Sequence, residues 1–270
     1  MSENTILLAF GLTMIAGLAT GIGSLIAILA KRTNTNFLCA SLGFSAGVML
    51  YVSFMELLPI ASDELVSHFG DKTGTLGMML AFFGGMGLIM LIDFLIPESN
   101  NPHELHGVED MAKPDIRQKA LQRAGIIVAL SLAIHNFPEG IATFSAAMSN
   151  DLSVAIPITI AIAIHNIPEG IAVSVPIYHA TGNKRKAFWL SFLSGLAEPL
   201  GAVIAYLFLM PFWSPLVNGL VMAGVAGIMV YISVDELLPT AEKYGKHHIS
   251  IAGMVAGMIV MAFSLFAFIN

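Results

Sequence analysis

The chain is poor in cysteine and poor in charge. Cys39 is its single cysteine, which excludes both a disulfide framework and a thiolate zinc cluster, so any metal must be held by oxygen and nitrogen. Only 11% of the 270 residues are charged, against roughly 25% in an ordinary soluble domain. With 56% hydrophobic residues and a mean hydropathy of +0.81, a soluble globular protein is excluded and an all-α integral membrane protein is expected. A G-x-x-x-x-G-K-[ST] loop is missing, so nothing points to nucleotide hydrolysis, and nothing points to a nucleic-acid partner. The opening MSENTILLAF carries Glu3 and no basic residue before its apolar run. It lacks the positive start of a cleavable signal peptide, so the first span is expected to be retained.

What is abundant is apolar sequence in long runs. Segments long enough to cross about 30 Å of hydrocarbon fall near 5–30, 38–62, 73–97, 119–148, 152–178, 186–211, 215–240 and 249–269. Eight spans in one transmembrane domain, residues 1–270, leave a single longer loop at 98–118. That loop is polar and proline-containing. Lys31, Arg32, Lys113, Arg117, Lys119, Arg123, Lys184, Arg185, Lys186, Lys243 and Lys246 fall on one side of this arrangement and only Lys72 on the other. The positive-inside rule therefore predicts a cytoplasmic loop 98–118 and extracytoplasmic N- and C-termini.

Two repeats run through the spans. Residues 134–142 read IHNFPEGIA and residues 164–172 read IHNIPEGIA, thirty positions apart, differing only at Phe137 and Ile167. Residues 47–59 (GVMLYVSFMELLP) and 227–239 (GIMVYISVDELLP) agree at eight of thirteen positions. In the predicted topology each repeat has its two copies in oppositely directed spans. This predicts a 3+2+3 inverted-repeat organisation, in which a polar site lies at mid-membrane.

The nine-residue phrase carries chemistry that hydrocarbon does not tolerate cheaply. A charged side chain at the centre of a span costs about 2.5 to 3.5 kcal/mol on insertion scales, so two histidines and two glutamates there mark a functional site. Residues three and four apart share a helix face, which puts His135, Asn136 and Glu139 on one face and His165, Asn166 and Glu169 on another. Imidazole with carboxylate suits Zn²⁺ and related first-row ions, whereas an all-oxygen set would favour Mg²⁺ or Ca²⁺. Two carboxylates also neutralise a dication in low dielectric, so a binuclear or extended site is expected. Pro138 and Pro168 each remove a backbone hydrogen bond and free the carbonyl of Ile134 or Ile164. Glu198, followed directly by Pro199 deep in the sixth span, is expected as a further ligand.

Other polar residues carry weaker expectations. Glu56 in the second span and Glu236 in the seventh either reach the interface or serve as outer and inner carboxylates of a transport path. Asp93 is expected at the interface. His103, His106, His247 and His248 are ordinary solvated loop histidines or weak metal-handling sites. The many methionines are packing or lipid-facing side chains.

HNFPEG at 135–140, HNIPEG at 165–170, SGLAEPLG at 194–201 and SVDELLP at 233–239 together resemble the ZIP family of divalent-metal transporters over nearly the full chain. The resemblance implies eight spans, secondary or passive uptake of Zn²⁺ with tolerance for Fe²⁺, Mn²⁺, Co²⁺ and Cd²⁺, and an elevator-like movement of one helix group against another. It also implies homodimers in a bacterial inner membrane and no catalytic cofactor. Carried over residue by residue, it makes His135, Glu139, His165 and Glu169 one metal subsite, with Asn136, Asn166, Glu169 and Glu198 an adjoining one. His and Asn in both motifs resemble the broad-range members. The rival of a different class is an intramembrane zinc metalloprotease. Such enzymes use H-E-x-x-H, which this chain does not contain, so no enzymatic activity is expected.

Overall fold

The computed structural model describes residues 3–29, 34–95, 133–134, 136–148, 152–242 and 246–267. All regular structure among them is helical. In chain order the helices are α1 (Glu3–Leu29), α2 (Thr35–Phe69), α3 (Asp71–Leu95), α4 (136–148), α5 (Leu152–Thr181), α6 (Lys184–Phe212), α7 (Pro215–Glu242) and α8 (His247–Ala267). Seven of them, all but α4, are long and apolar enough to cross a membrane within the described residues. The N-terminal part of the expected fourth span and the loop 98–118, with His103 and His106, lie outside the described residues. Large apolar side chains such as Leu7, Leu29, Leu80, Phe94, Phe208 and Phe266 lie exposed, as lipid-facing surfaces require.

Caps and turns close the helices as the sequence dictates. The Asn34 side chain accepts from the backbone N–H groups of Asn36 and Phe37 at the start of α2, at 3.0 and 3.2 Å. Asn183 does the same for Lys186 in α6, and Ser214 for Val217 in α7, where Pro215 takes the first helical position. Gly70 (φ 79°) and Gly182 (φ 64°) end α2 and α5 in the left-handed region that only glycine enters freely. The α2 helix continues past the expected boundary at 62, through Asp63, Glu64 and Ser67 to Phe69. There Asn218 of α7 donates through Nδ2 to both Glu64 carboxylate oxygens at 2.9 Å.

Three helices widen locally to a π turn, at Ser53–Leu57 in α2, Ala205–Leu209 in α6 and Ser233–Leu237 in α7. A proline follows the first residue of each by six positions: Pro59, Pro211 and Pro239. Proline cannot donate to the carbonyl four residues back and its ring crowds that carbonyl. The turn relieves the crowding by spacing its bonds five apart, with Leu58 N–H to Ser53 O, Met210 N–H to Ala205 O and Leu238 N–H to Ser233 O. The α5 helix passes through Pro168 without such a turn.

Helices associate through glycine rather than through bulky knobs, as in many membrane bundles. α1 packs on α5 and α6, α5 on α6, and α4 on α6. α2 packs on α8, α7 and α3, and α3 on α7. These are two groups of four, and among the described contacts they meet chiefly where α2 lies along α5. A second, separate core of Ala9, Phe144, Ala147, Met148, Ala155, Ala202 and Ala205 belongs wholly to the group α1, α4, α5 and α6.

Candidate metal centre

The duplicated motif and Glu198 come together where α4, α5 and α6 meet. Asn136, Glu139, His165, Asn166, Glu169 and Glu198 are all fully buried. His135 lies outside the described residues. One ligand atom each from Glu139, His165 and Glu169 lie within 4.8 Å of one another. Ligands held about 2.0 to 2.2 Å from a tetrahedral Zn²⁺ stand about 3.4 Å apart, so closing on one ion requires the side chains to draw together by at most about 1.4 Å. His165 Nε2 lies 3.1 Å from Glu139 Oε1.

The second set is assembled by α6. This helix is interrupted at Leu196, where Pro199 cannot supply an N–H to the Gly195 carbonyl. The break places Glu198 in the first turn of the following helical segment, whose dipole favours a carboxylate. Asn166 donates through Nδ2 to Glu198 Oε1, and also to the Ala16 carbonyl of α1 at 3.0 Å. Asn136 donates to the Ser194 carbonyl at 3.3 Å. The carboxamide oxygens of Asn136 and Asn166 accept no hydrogen bond among the described residues, although both are buried acceptors. Such orphaned oxygens cost free energy unless something with positive charge meets them.

The electrostatics point the same way. Two carboxylates 4.8 Å apart or closer repel by about 3 kcal/mol at an effective dielectric near 20, and Glu139 and Glu169 stand in that relation. A divalent cation between them turns the repulsion into attraction. Three carboxylates, an imidazole and two carboxamide oxygens in one buried region make a donor set for a first-row divalent ion.

Glu56 and Glu236 are not drawn into this centre. Each is half-buried and sits in a π turn, at equivalent positions of α2 and α7. Glu56 lines a cavity of about 700 Å³ between α2, α5 and α8, with Tyr51, Ser153, Pro157, Phe263 and Phe266. At the other end His247 Nδ1 lies 2.7 Å from Glu242 Oε1, both exposed, with the His248 ring beside it.

Sequence reasoning missed Ser45. Its hydroxyl, on α2, donates to Glu169 Oε1 at 3.2 Å and lies 3.4 Å from the His165 carbonyl. It ties a residue of one four-helix group to the candidate metal-binding cluster of the other. A serine in an apolar helix gives no spacing signal of its own, and only the packing of α2 on α5 reveals it.

Known proteins resemble the chain over nearly its full length. The family profile described as ZIP Zinc transporter matches residues 95–265. A protein of Clostridium perfringens named zinc transporter ZupT is 56% identical, covering 98% of this chain and 98% of its own length. Proteins of the same name from Lysinibacillus sphaericus and Nitratidesulfovibrio vulgaris are 58% and 54% identical, the first over 97% of this chain and 98% of its own length, the second over 100% of both.

Proposed function

We propose, on the premise that this chain belongs to the ZIP family of zinc transporters, that it takes up divalent transition-metal ions through the centre formed by α4, α5 and α6. It is a multi-pass membrane protein and a transporter rather than an enzyme. Zn²⁺ is the leading cargo, with Fe²⁺, Mn²⁺, Co²⁺ and Cd²⁺ admitted by the same imidazole and oxygen donors. The observation that carries the reading is the buried Glu139, His165 and Glu169 cluster. His135 and Asn136 complete the first motif's contribution, and Asn166 with Glu198 forms the adjoining subsite.

The ion passes from Glu56 and its cavity to the centre, and leaves past Glu236. The termini face away from the cytoplasm, as the basic residues require, in a bacterial inner membrane. Alternating access moves the group α1, α4, α5 and α6 against the group α2, α3, α7 and α8. The described ligands all belong to the first group, and among the described contacts the largest between the two groups is that of α2 with α5, which supports such a movement. No nucleotide-binding loop is present, so uptake is secondary or passive.

The test is uptake of Zn²⁺ and Fe²⁺ by purified protein in liposomes under an inward gradient. His165→Ala and Glu169→Ala should each abolish uptake while the protein still elutes as a folded species. Wild-type rates in either variant would overturn the site, and no movement of either ion by the unaltered protein would overturn the function.

A further inference from the structure

The metal centre is assembled from two sets of matching contacts, and only one set carries an acid. α1 reads AGLATGIG over 16–23 and α6 reads SGLAEPLG over 194–201, so that each α6 residue stands 178 positions after its α1 counterpart. α5 follows α4 by the thirty positions of the motif repeat. Asn166 Nδ2 donates to the Ala16 carbonyl, and its counterpart Asn136 Nδ2 donates to the Ser194 carbonyl, the counterpart of Ala16. A Cβ on Gly170 would overlap the Thr20 carbonyl, and one on Gly140 would overlap the Glu198 carbonyl. A Cβ on Gly23 would meet the Ile167 carbonyl, and one on Gly201 the Phe137 carbonyl. The Cβ of Glu198 lies against Gly17, and the side chain of Thr20 lies against Gly195. Four independent contacts therefore pair Glu198 with Thr20, and Asn166 with Asn136.

In one set Asn166 donates to Glu198. In the other, Thr20 Oγ1 and Asn136 Oδ1 are fully buried, and neither has a hydrogen-bond partner among the described residues. Threonine elsewhere in these helices does what an apolar setting demands and bonds to the carbonyl four residues back, as Thr13, Thr143 and Thr159 do. Thr20 does not. We infer that Thr20 and Asn136 form a neutral half-site of the metal centre, in which the Thr20 hydroxyl oxygen meets the cation from the side opposite Glu198. This rests on the metal-centre reading given above. Its consequence is a centre with one negative charge fewer on the Thr20 side, so a cation is held toward Glu198 and passes the Thr20 side with weaker attachment.

Thr20→Val preserves the shape of the side chain and removes the oxygen. It should weaken Zn²⁺ binding to the purified protein by about tenfold, the worth of one contact between a hydroxyl and a charge, and shift the visible absorption of bound Co²⁺. Thr20→Ser should retain both the affinity and the spectrum. The decisive variant exchanges the counterparts: Thr20→Glu with Glu198→Thr should recover binding that Glu198→Thr alone loses. Wild-type affinity and spectrum in Thr20→Val, equal loss in Thr20→Ser and Thr20→Val, or no recovery in a folded exchange variant would each overturn the proposal. Glu169→Ala in the same assay separates the two readings: binding lost there and intact in Thr20→Val removes Thr20 alone, while binding intact in both removes the metal centre as well.

Discussion

Ser45→Ala should change transport without removing any ligand of the proposed metal centre. The hydroxyl donates to Glu169 Oε1 at 3.2 Å from a fully buried position, and a hydrogen bond to a charged group contributes roughly 1.5 to 3 kcal/mol. At 3.2 Å the lower figure applies, and about 1.5 kcal/mol corresponds to a little over tenfold in an equilibrium constant. The bond crosses from α2 to α5, the contact over which the two helix groups meet. Alanine therefore destabilises the arrangement in which Glu169 is held by α2, and also frees the carboxylate to turn. Initial rates of Zn²⁺ uptake into liposomes over a range of concentrations should show a roughly tenfold change in KM, Vmax or their ratio. A double-mutant cycle with Glu169→Gln isolates the pair, because neighbours in contact couple by about 0.5 kcal/mol or more. Additive effects in that cycle, or wild-type kinetics in Ser45→Ala, would refute the reasoning.

Three further outcomes follow from the packing. Gly170→Ala and Gly140→Ala each place a methyl group on a neighbouring backbone carbonyl; helices forced apart should lower thermal stability in detergent by about 1 to 3 kcal/mol, and unchanged unfolding temperatures would contradict the contacts. Pro59→Ala removes the cause assigned to the π turn at Ser53–Leu57. The helix should then close to a regular spacing and rotate Glu56, which reactivity of a cysteine placed at Phe54 can follow, with Pro239→Ala as the matched test in α7. Glu56→Gln should raise the KM for Zn²⁺ several-fold while leaving metal binding at the buried centre intact, and equal loss of both would place Glu56 in the centre itself.

Much of this architecture was legible because hydrocarbon enforces a simple code. Runs of about twenty apolar residues had to be helices, and the described residues of the runs near 5–30, 73–97, 152–178 and 249–269 are helical. Glu139, His165 and Glu169 stood out because charge in such runs is expensive and because the same phrase occurs twice. Residues whose meaning depends on a neighbour were not legible. Ser45 matters only because α2 lies on α5, and Thr20 only because its position answers that of Glu198. The π turns were half legible: the prolines were in plain view, but Pro168 lies in an unbroken helix, so proline alone does not decide whether a helix widens.

The glycine crossings determine where this molecule can yield. At Gly23 with Ile167, Gly170 with Thr20, and Gly140 with Glu198, one backbone rests on another and no side chain lies between them to bend or rotate. Such joints are stiff, and they clamp together the very helices that carry the cation's partners. Compliance is left to the seam along α2 and α5, where no described glycine lies against a neighbouring backbone. In the alternating access proposed above, a cation lodged among Glu139, His165 and Glu169 would thus keep its surroundings fixed while the walls around them slide, much as a parcel keeps its shape inside a rigid crate on a moving belt.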